Sequence, residues 1–293
     1  MNVFVTGGTG LIGSAVIAEL LANGHTVAAL ARSDESALAA GSAGAEPVRG
    51  ALSDLDALRA AADRAEGVVH LAFGHDFTSP QSVARSVAEE SAALGALGEV
   101  LTGSGRPLVT VSGTPYVPGR ASTEADPLST NGPVGGRSRS VMRVLGLAER
   151  GVRSISVRLP RTVHNQGNGG FAGLLARMAR QNGACLYPGD GSQRWPAVHA
   201  LDAAVLFRLV LETAPAGTAW HAVADEGDAV RDIASVIGRR LGLPVEEVPA
   251  ATFGPLGAIF ATDQPSTSTR TQEELGWRPA HASLLQDLEN IEP

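Results

Sequence analysis

Eight residues near the N-terminus, Thr6-Gly7-Gly8-Thr9-Gly10-Leu11-Ile12-Gly13, constrain the fold of this chain more than any other feature. They join a short apolar run, Asn2–Val5, to a stretch of helical patterning, Leu11–Ala22, that Asn23-Gly24 brings to a stop. Glycines in that position permit a tight turn, let backbone approach a pyrophosphate and allow close helix–strand packing. The helix after the loop offers unpaired N–H groups and a partial positive charge to the phosphates. Strand, glycine loop and helix in this order predict a dinucleotide site.

The rest of the first half repeats the alternation. Strands are expected at Thr26–Leu30, Ala45–Arg49, Gly67–Leu71, Leu108–Val111 and Ser154–Leu159. Helices are expected at Leu55–Ala65 with Asp54 as N-cap, at Pro80–Leu101 and at Gly136–Arg150. Right-handed crossovers turn such a pattern into an α/β, doubly wound parallel sheet of Rossmann type. After Pro160 the pattern gives way to glycine-rich loops at Asn165–Gly170 and Tyr187–Ser192 and proline-containing breaks at Thr213–Gly217 and Leu243–Gly257. Helices remain at Leu201–Glu212, Val230–Leu241 and Thr271–Leu275. The expected organisation is a core over 1–160, rejoined by 195–225, with a smaller interleaved substrate lobe from 161–194 and 226–293. Hydrophobic residues are 44% of the 293 and aromatics only 4%, so aliphatic side chains must build most of the core.

The end of the second strand addresses which dinucleotide is bound. A carboxylate there selects NAD by binding the ribose 2′-hydroxyl. This chain instead runs Val27-Ala28-Ala29-Leu30-Ala31-Arg32-Ser33. A guanidinium suits a 2′-phosphate, so NADP(H) is expected in preference to NAD(H).

The pattern Thr6-Gly7-x-x-Gly10-x-x-Gly13, with His70-Leu71-Ala72 after the fourth strand, resembles the extended or atypical short-chain dehydrogenase/reductases, close to the epimerase/dehydratases. Val111-Ser112-Gly113-Thr114, Arg158-Leu159-Pro160 with His164, Trp195-Pro196-Ala197-Val198-His199 with Asp202, and Leu275-Gly276-Trp277-Arg278-Pro279 extend the likeness along the whole chain. The resemblance implies nucleotide contacts at Gly7, Thr9, Gly10, Leu11, Ile12, Gly13, Arg32, Ser33, Leu52, Leu71, Ala72 and Phe73. It implies a catalytic hydroxyl at Ser112.

Two departures stand out. Where the family carries Gly-Asp-Leu to read adenine, this chain has Gly50-Ala51-Leu52, leaving backbone or a neighbour such as Asp54. The family's Tyr-x-x-x-Lys, which reaches the nicotinamide from one face of the helix after the fifth strand, is missing. Arg137 falls at the tyrosine and Val141 at the lysine. All 23 basic residues in the Lys+Arg count are arginine, so Schiff-base, phosphate-loop and lysine-tuned chemistry are excluded.

The replacement acid/base set is expected among Ser112, Tyr116, His75 and Arg137. Ser112 can donate to a developing alkoxide. Arg137 can polarise a carbonyl or hold an anion but is no acid. Tyr116 lacks a lysine to tune it, and His75 has Asp76 beside it to orient or charge it. His164, Tyr187, Trp195 and His199 are expected to line the substrate space.

A net charge of −7 argues against nucleic acid or an acidic membrane as partner. A single cysteine, Cys185, excludes a disulfide framework and a multi-cysteine metal site, and no metal is expected. No stretch is apolar and long enough to span a membrane. A cytoplasmic monomer or homodimer is expected, acting on a small molecule. The leading expectation is an NADP(H)-dependent oxidoreductase for a small carbonyl or hydroxyl compound. A lyase, isomerase or cyclase using the same pocket, or a non-catalytic NADP(H) sensor, are the alternatives.

Overall fold

Seven parallel strands form the central sheet of the protein. The computed structural model describes residues 1–74, 79–131 and 135–292. The strands of this sheet are β1 (Asn2–Thr6), β2 (Thr26–Ala31), β3 (Glu46–Arg49), β4 (Gly67–His70), β5 (Pro107–Gly113), β6 (Arg153–Leu159) and β10 (Thr218–His221). Their order across the sheet is β10-β6-β5-β4-β1-β2-β3. Between them run α1 (Leu11–Ala22), α2 (Asp34–Ser42), α3 (Leu55–Arg64), α4 (Pro80–Leu101) and α5 (Gly135–Gly146). The order reverses between β1 and β4, and that reversal opens a crevice at the carboxyl edge of the sheet where ligands of such folds bind.

Both faces of the sheet are covered at its centre, where β1, β4 and β5 are buried almost throughout and mainly apolar. On one face Val3, Val5, Val69, Val109, Ile155 and Val157 pack against α1 and α7 (Ala200–Thr213). On the other, Phe4, Val68 and Leu108 pack against α3 and α4 through Leu58, Leu94 and Leu97.

The sequence pattern does not announce α2. Ser33 and Ser36 close a capping box at its start, and this local hydrogen bonding outweighs the weak apolar pattern of Asp34–Ser42.

The second lobe holds β7 (Thr162–His164), α6 (Gly170–Asn182), β8 (Cys185–Pro188), β9 (Arg194–His199), β11 (Asp225–Ala229), α8 (Val230–Leu241) and β12 (Val245–Val248). α9 (Gly257–Phe260), α10 (Thr269–Leu275) and α11 (Leu284–Leu288) complete the chain. β11, β9 and β7 form a three-stranded sheet, and β12 pairs with β8. The stretch Leu243–Gly257, expected as a break, thus contains an edge strand, because Val245–Val248 finds its partner in Cys185–Pro188.

The residues Arg194–His199 belong to the small sheet, whereas α7 and β10 return to the large one. In the second lobe the scarce aromatics gather: Phe171, Trp195 and Phe260 meet edge to face or tilted, at centroid separations of 5.1–5.7 Å.

Candidate active site

The glycine loop is shaped by backbone crowding. Gly7 has φ +73°, and a Cβ there would stand 2.8 Å from the Ala72 nitrogen. A Cβ on Gly13 would fall 2.1 Å from the Gly7 carbonyl oxygen, so only glycine lets α1 close on the loop. Gly10 is different. Its Cβ would meet the Gly7 oxygen at 3.5 Å and nothing else nearby, so it faces open space.

Thr6 locks the loop to the end of β4. Its Oγ1 accepts from the Leu71 and Ala72 amides at 3.3 and 3.2 Å and lies 3.0 Å from His70 Nδ1. Burial, with Arg137 nearby, pushes the His70 pKa down to about 3, so this imidazole is neutral and structural.

α1 begins at Gly10 with no side-chain cap and no acidic residue in its first turn. Ser33, Asp54, Ser79 and His199 cap α2, α3, α4 and α7, whereas α6 and α8, in the second lobe, begin uncapped as α1 does. The free amides at the start of α1 therefore remain for an anion.

Arg32 is exposed just beyond β2 and has no hydrogen bond or ion pair among the described residues. The carboxylate nearest in sequence, Asp34, is held by Arg49. Ser33 Oγ accepts from the Ser36 amide as the cap of α2. Asp54 Oδ1 accepts from the Ala57 amide as the cap of α3. Leu52, Leu71, Ala72 and Phe73 are half-buried along the same edge.

The β5–α5 side is built otherwise. Ser112, the penultimate residue of β5, is in register with Arg158 on β6, half-buried, with its Oγ 3.1 Å from Ser156 Oγ. Tyr116 is 53% exposed and has no hydrogen-bond partner among the described residues. His75 lies outside the described residues.

Arg137 donates through Nε and Nη2 to the two carboxylate oxygens of Glu90 on α4, at 2.7–3.1 Å, and its guanidinium sits 3.9 Å over the Phe73 ring. Glu90, the partner of Arg137, is not singled out by the motifs, yet the sequence carries a signal for it. It stands on the apolar stripe of α4 with Val83, Ser86, Ala93 and Leu97, and a carboxylate in that place requires a cation from the facing helix. Val141 is buried and packs the base of α5. A side chain at Gly135, which opens α5, would collide with the Thr130 carbonyl oxygen at 2.1 Å.

The expected substrate-lining residues separate. Trp195 is fully buried in the aromatic cluster of the second lobe and packs rather than lines. Tyr187 is half-buried on β8 against the same core. His164 is buried with Nδ1 2.9 Å from Asp287 and meets His199 edge to face at 5.4 Å.

His199 accepts from the Leu201 amide as the cap of α7 and stacks on His281 at 4.9 Å. Burial, then the neighbouring histidines, lower its pKa. The histidines thus tie β7, α7 and the C-terminal segment together. Among the described residues no group of three or more His, Cys, Asp or Glu side chains is placed to hold a metal ion. Burial pushes the Cys185 thiol up to about 12, which removes it as a nucleophile.

The profile of the NAD dependent epimerase/dehydratase family matches residues 3–222. The uncharacterized protein C2A9.02 of Schizosaccharomyces pombe is 40% identical over 292 residues, 98% of each chain. The uncharacterized protein YLL056C of Saccharomyces cerevisiae is 38% identical over 297 residues, again 98% of each. Among solved structures, a dTDP-glucose 4,6-dehydratase from Streptomyces venezuelae with NAD bound superposes with a TM-score of 0.80 at 20% identity, covering 99% of this chain and 95% of that one.

Proposed function

For a chain that belongs to the NAD dependent epimerase/dehydratase family, we propose the function of an NADP(H)-dependent oxidoreductase that acts on a small carbonyl or hydroxyl compound without the tyrosine–lysine pair. Arg32 is the observation that carries the nucleotide choice, because it is exposed just beyond β2 and the carboxylate nearest in sequence, Asp34, is held by Arg49. The uncapped start of α1 and the open space before Gly10 fit a pyrophosphate. When bound, NADP(H) supplies or accepts the hydride.

The chain's own residues then have distinct tasks. Ser112 donates a hydrogen bond to the substrate oxygen on which charge develops, and Ser156 orients that hydroxyl. Glu90 fixes Arg137, whose remaining nitrogen, Nη1, has no acceptor among the described residues and is left to polarise the same oxygen. A guanidinium keeps its proton, so the pair orients charge rather than moving it. Tyr116 and solvent water are left as proton donors. General acid catalysis contributes about 10²–10⁴-fold, so turnover should be slow.

A non-catalytic sensor of NADP(H) is the second reading, favoured by Arg137 and Val141 standing where the family's tyrosine and lysine are expected. Calorimetry with NADPH and NADH, followed by NADPH-oxidation assays over a panel of aldehydes and ketones, tests both. Preference for NADPH with measurable turnover supports the oxidoreductase. Tight NADPH binding with no turnover on any carbonyl favours the sensor, and equal affinity for the two nucleotides removes the role given to Arg32.

A further inference from the structure

Arg161 follows Pro160 where β6 leaves the large sheet, two residues beyond the Leu159 that pairs with Gly113. Its backbone is pinned, since its carbonyl accepts from the Phe171 amide at 3.2 Å. Its side chain reaches into the second lobe. Nη1 donates to the Ile259 carbonyl at 2.8 Å, and the guanidinium lies 5.4 Å from the Phe171 ring centroid.

The opposite edge of that guanidinium is the informative one. Nε is buried with no acceptor, and Nη2 has none among the described residues. Arg137 and Arg194 use this same Nε–Nη2 edge to grip Glu90 and Asp263 through both carboxylate oxygens. Asp263, the acid whose charge reaches Arg161, is already held by Arg194 through its side chain and amide. Arg158, the other arginine among the described residues with a buried Nε that lacks an acceptor, has the charges of Glu124 and Asp126 close by.

Arg161 is therefore a desolvated cation with no carboxylate bonded to it among the described residues. Burial lowers its pKa to about 10, which leaves it charged at neutral pH. An arrangement that strands such a charge costs stability and is a mark of a binding position.

We propose that Arg161 receives an anionic group of the substrate, gripping two adjacent oxygens of a carboxylate or a phosphate ester through its Nε–Nη2 edge. It rests on the oxidoreductase function proposed above for the identity of the ligand, which becomes a carbonyl compound that also carries an acid group. The side-on fork is the geometry in which arginine binds both kinds of oxyanion most strongly.

The test uses the full chain saturated with NADP⁺, so that phosphate does not report on the nucleotide site. Butanoate, inorganic phosphate and the neutral butanamide are titrated into wild type, R161Q and R161K. Wild type should bind butanoate or phosphate at least 10-fold better than butanamide, and the favoured anion identifies the source of the charge. R161Q should lose that preference, R161K should keep part of it, and both should bind NADP⁺ as wild type does, which also reports that they are folded. An unchanged anion preference in R161Q, or no preference in wild type, overturns the proposal.

NADPH-dependent reduction of 4-oxobutanoate and butanal separates it from the reading it rests on. Anion binding that depends on Arg161 without reduction of either aldehyde retires the oxidoreductase and leaves the anion site standing. Reduction of both aldehydes with equal efficiency in wild type and R161Q retires the anion site alone.

Discussion

The two halves of the crevice at the sheet's carboxyl edge are made by different means. On the β1–β2 side the site is backbone: Gly7 and Gly13 admit no Cβ, Thr6 staples the loop to β4, and α1 starts without a cap. On the β5–α5 side it is side chains: Ser112 against Ser156 and Arg137 clamped by Glu90. Backbone geometry tolerates almost no substitution, so that half keeps its family's pattern. A side-chain constellation can be replaced piece by piece, and the function proposed for this chain, which contains no lysine, requires such a replacement.

Substitutions should separate the halves sharply. Gly10→Val adds bulk where the pyrophosphate must approach but where the protein itself leaves room. Nucleotide binding should be abolished in calorimetry while circular dichroism stays native. Gly13→Ala, one turn on, should instead lower the melting temperature, because its methyl group meets the Gly7 oxygen inside contact distance. Native stability in Gly13→Ala would mean that the loop is less rigid than its crowding implies.

On the other side, Ser112→Ala should lower kcat by about 10²–10³ under nucleotide saturation, in whichever carbonyl assay gives turnover. Tyr116→Phe and Tyr187→Phe should cost far less, one being exposed and the other packed into the second lobe. A collapse in Tyr116→Phe with Ser112→Ala near normal would move the proton to that tyrosine.

Arg32→Ala should weaken NADPH binding by about 1.5–3 kcal/mol, roughly 10- to 150-fold, and leave NADH binding nearly unchanged. An equal loss for both nucleotides would mean that Arg32 does not read the 2′-phosphate.

Acid should produce the smallest effect. His70 and His221 have folded pKa values near 3 and 4, both below the ordinary 6.5, chiefly because they are buried. The unfolded chain takes up their protons first. Their neutral forms thus support the fold fully above pH 6.5, and that support is lost as the pH falls toward 4, at up to about 1.4 kcal/mol per pH unit for each. Asp228, raised to about 6, works in the opposite sense and offsets part of the loss. Melting monitored by circular dichroism should show a few degrees' decrease between pH 7.5 and 5.5, and a constant or rising midpoint would contradict it.

The parallel sheet and its glycine loop are legible in the sequence because their signals are local. Apolar runs, glycine positions and caps such as Asp54 lie within a few residues of one another. Glu90 carries a readable signal, a carboxylate on an apolar stripe, but its partner sits 47 residues away on another helix. Trp195 and His164 point toward the substrate lobe, yet whether they face solvent or core depends on Phe260 and Asp287, which arrive from the far end of the chain. Ser33 draws attention for its place after β2, and the capping box it forms with Ser36 is the competing use of the same hydroxyl.

The return of α7 and β10 to the large sheet has a mechanical meaning. The backbone leaves the sheet at β6, builds β7, α6, β8 and β9, and comes back to pair β10 with β6 and lay α7 on α1 before leaving again. Neither lobe is one uninterrupted length of polypeptide. A protease cut after residue 160 would strip β10 and its helix from the first fragment, so it should release no self-sufficient nucleotide-binding piece. The two lobes should melt as one cooperative unit, and any opening between them must bend several strands of backbone at once rather than swing on a single tether.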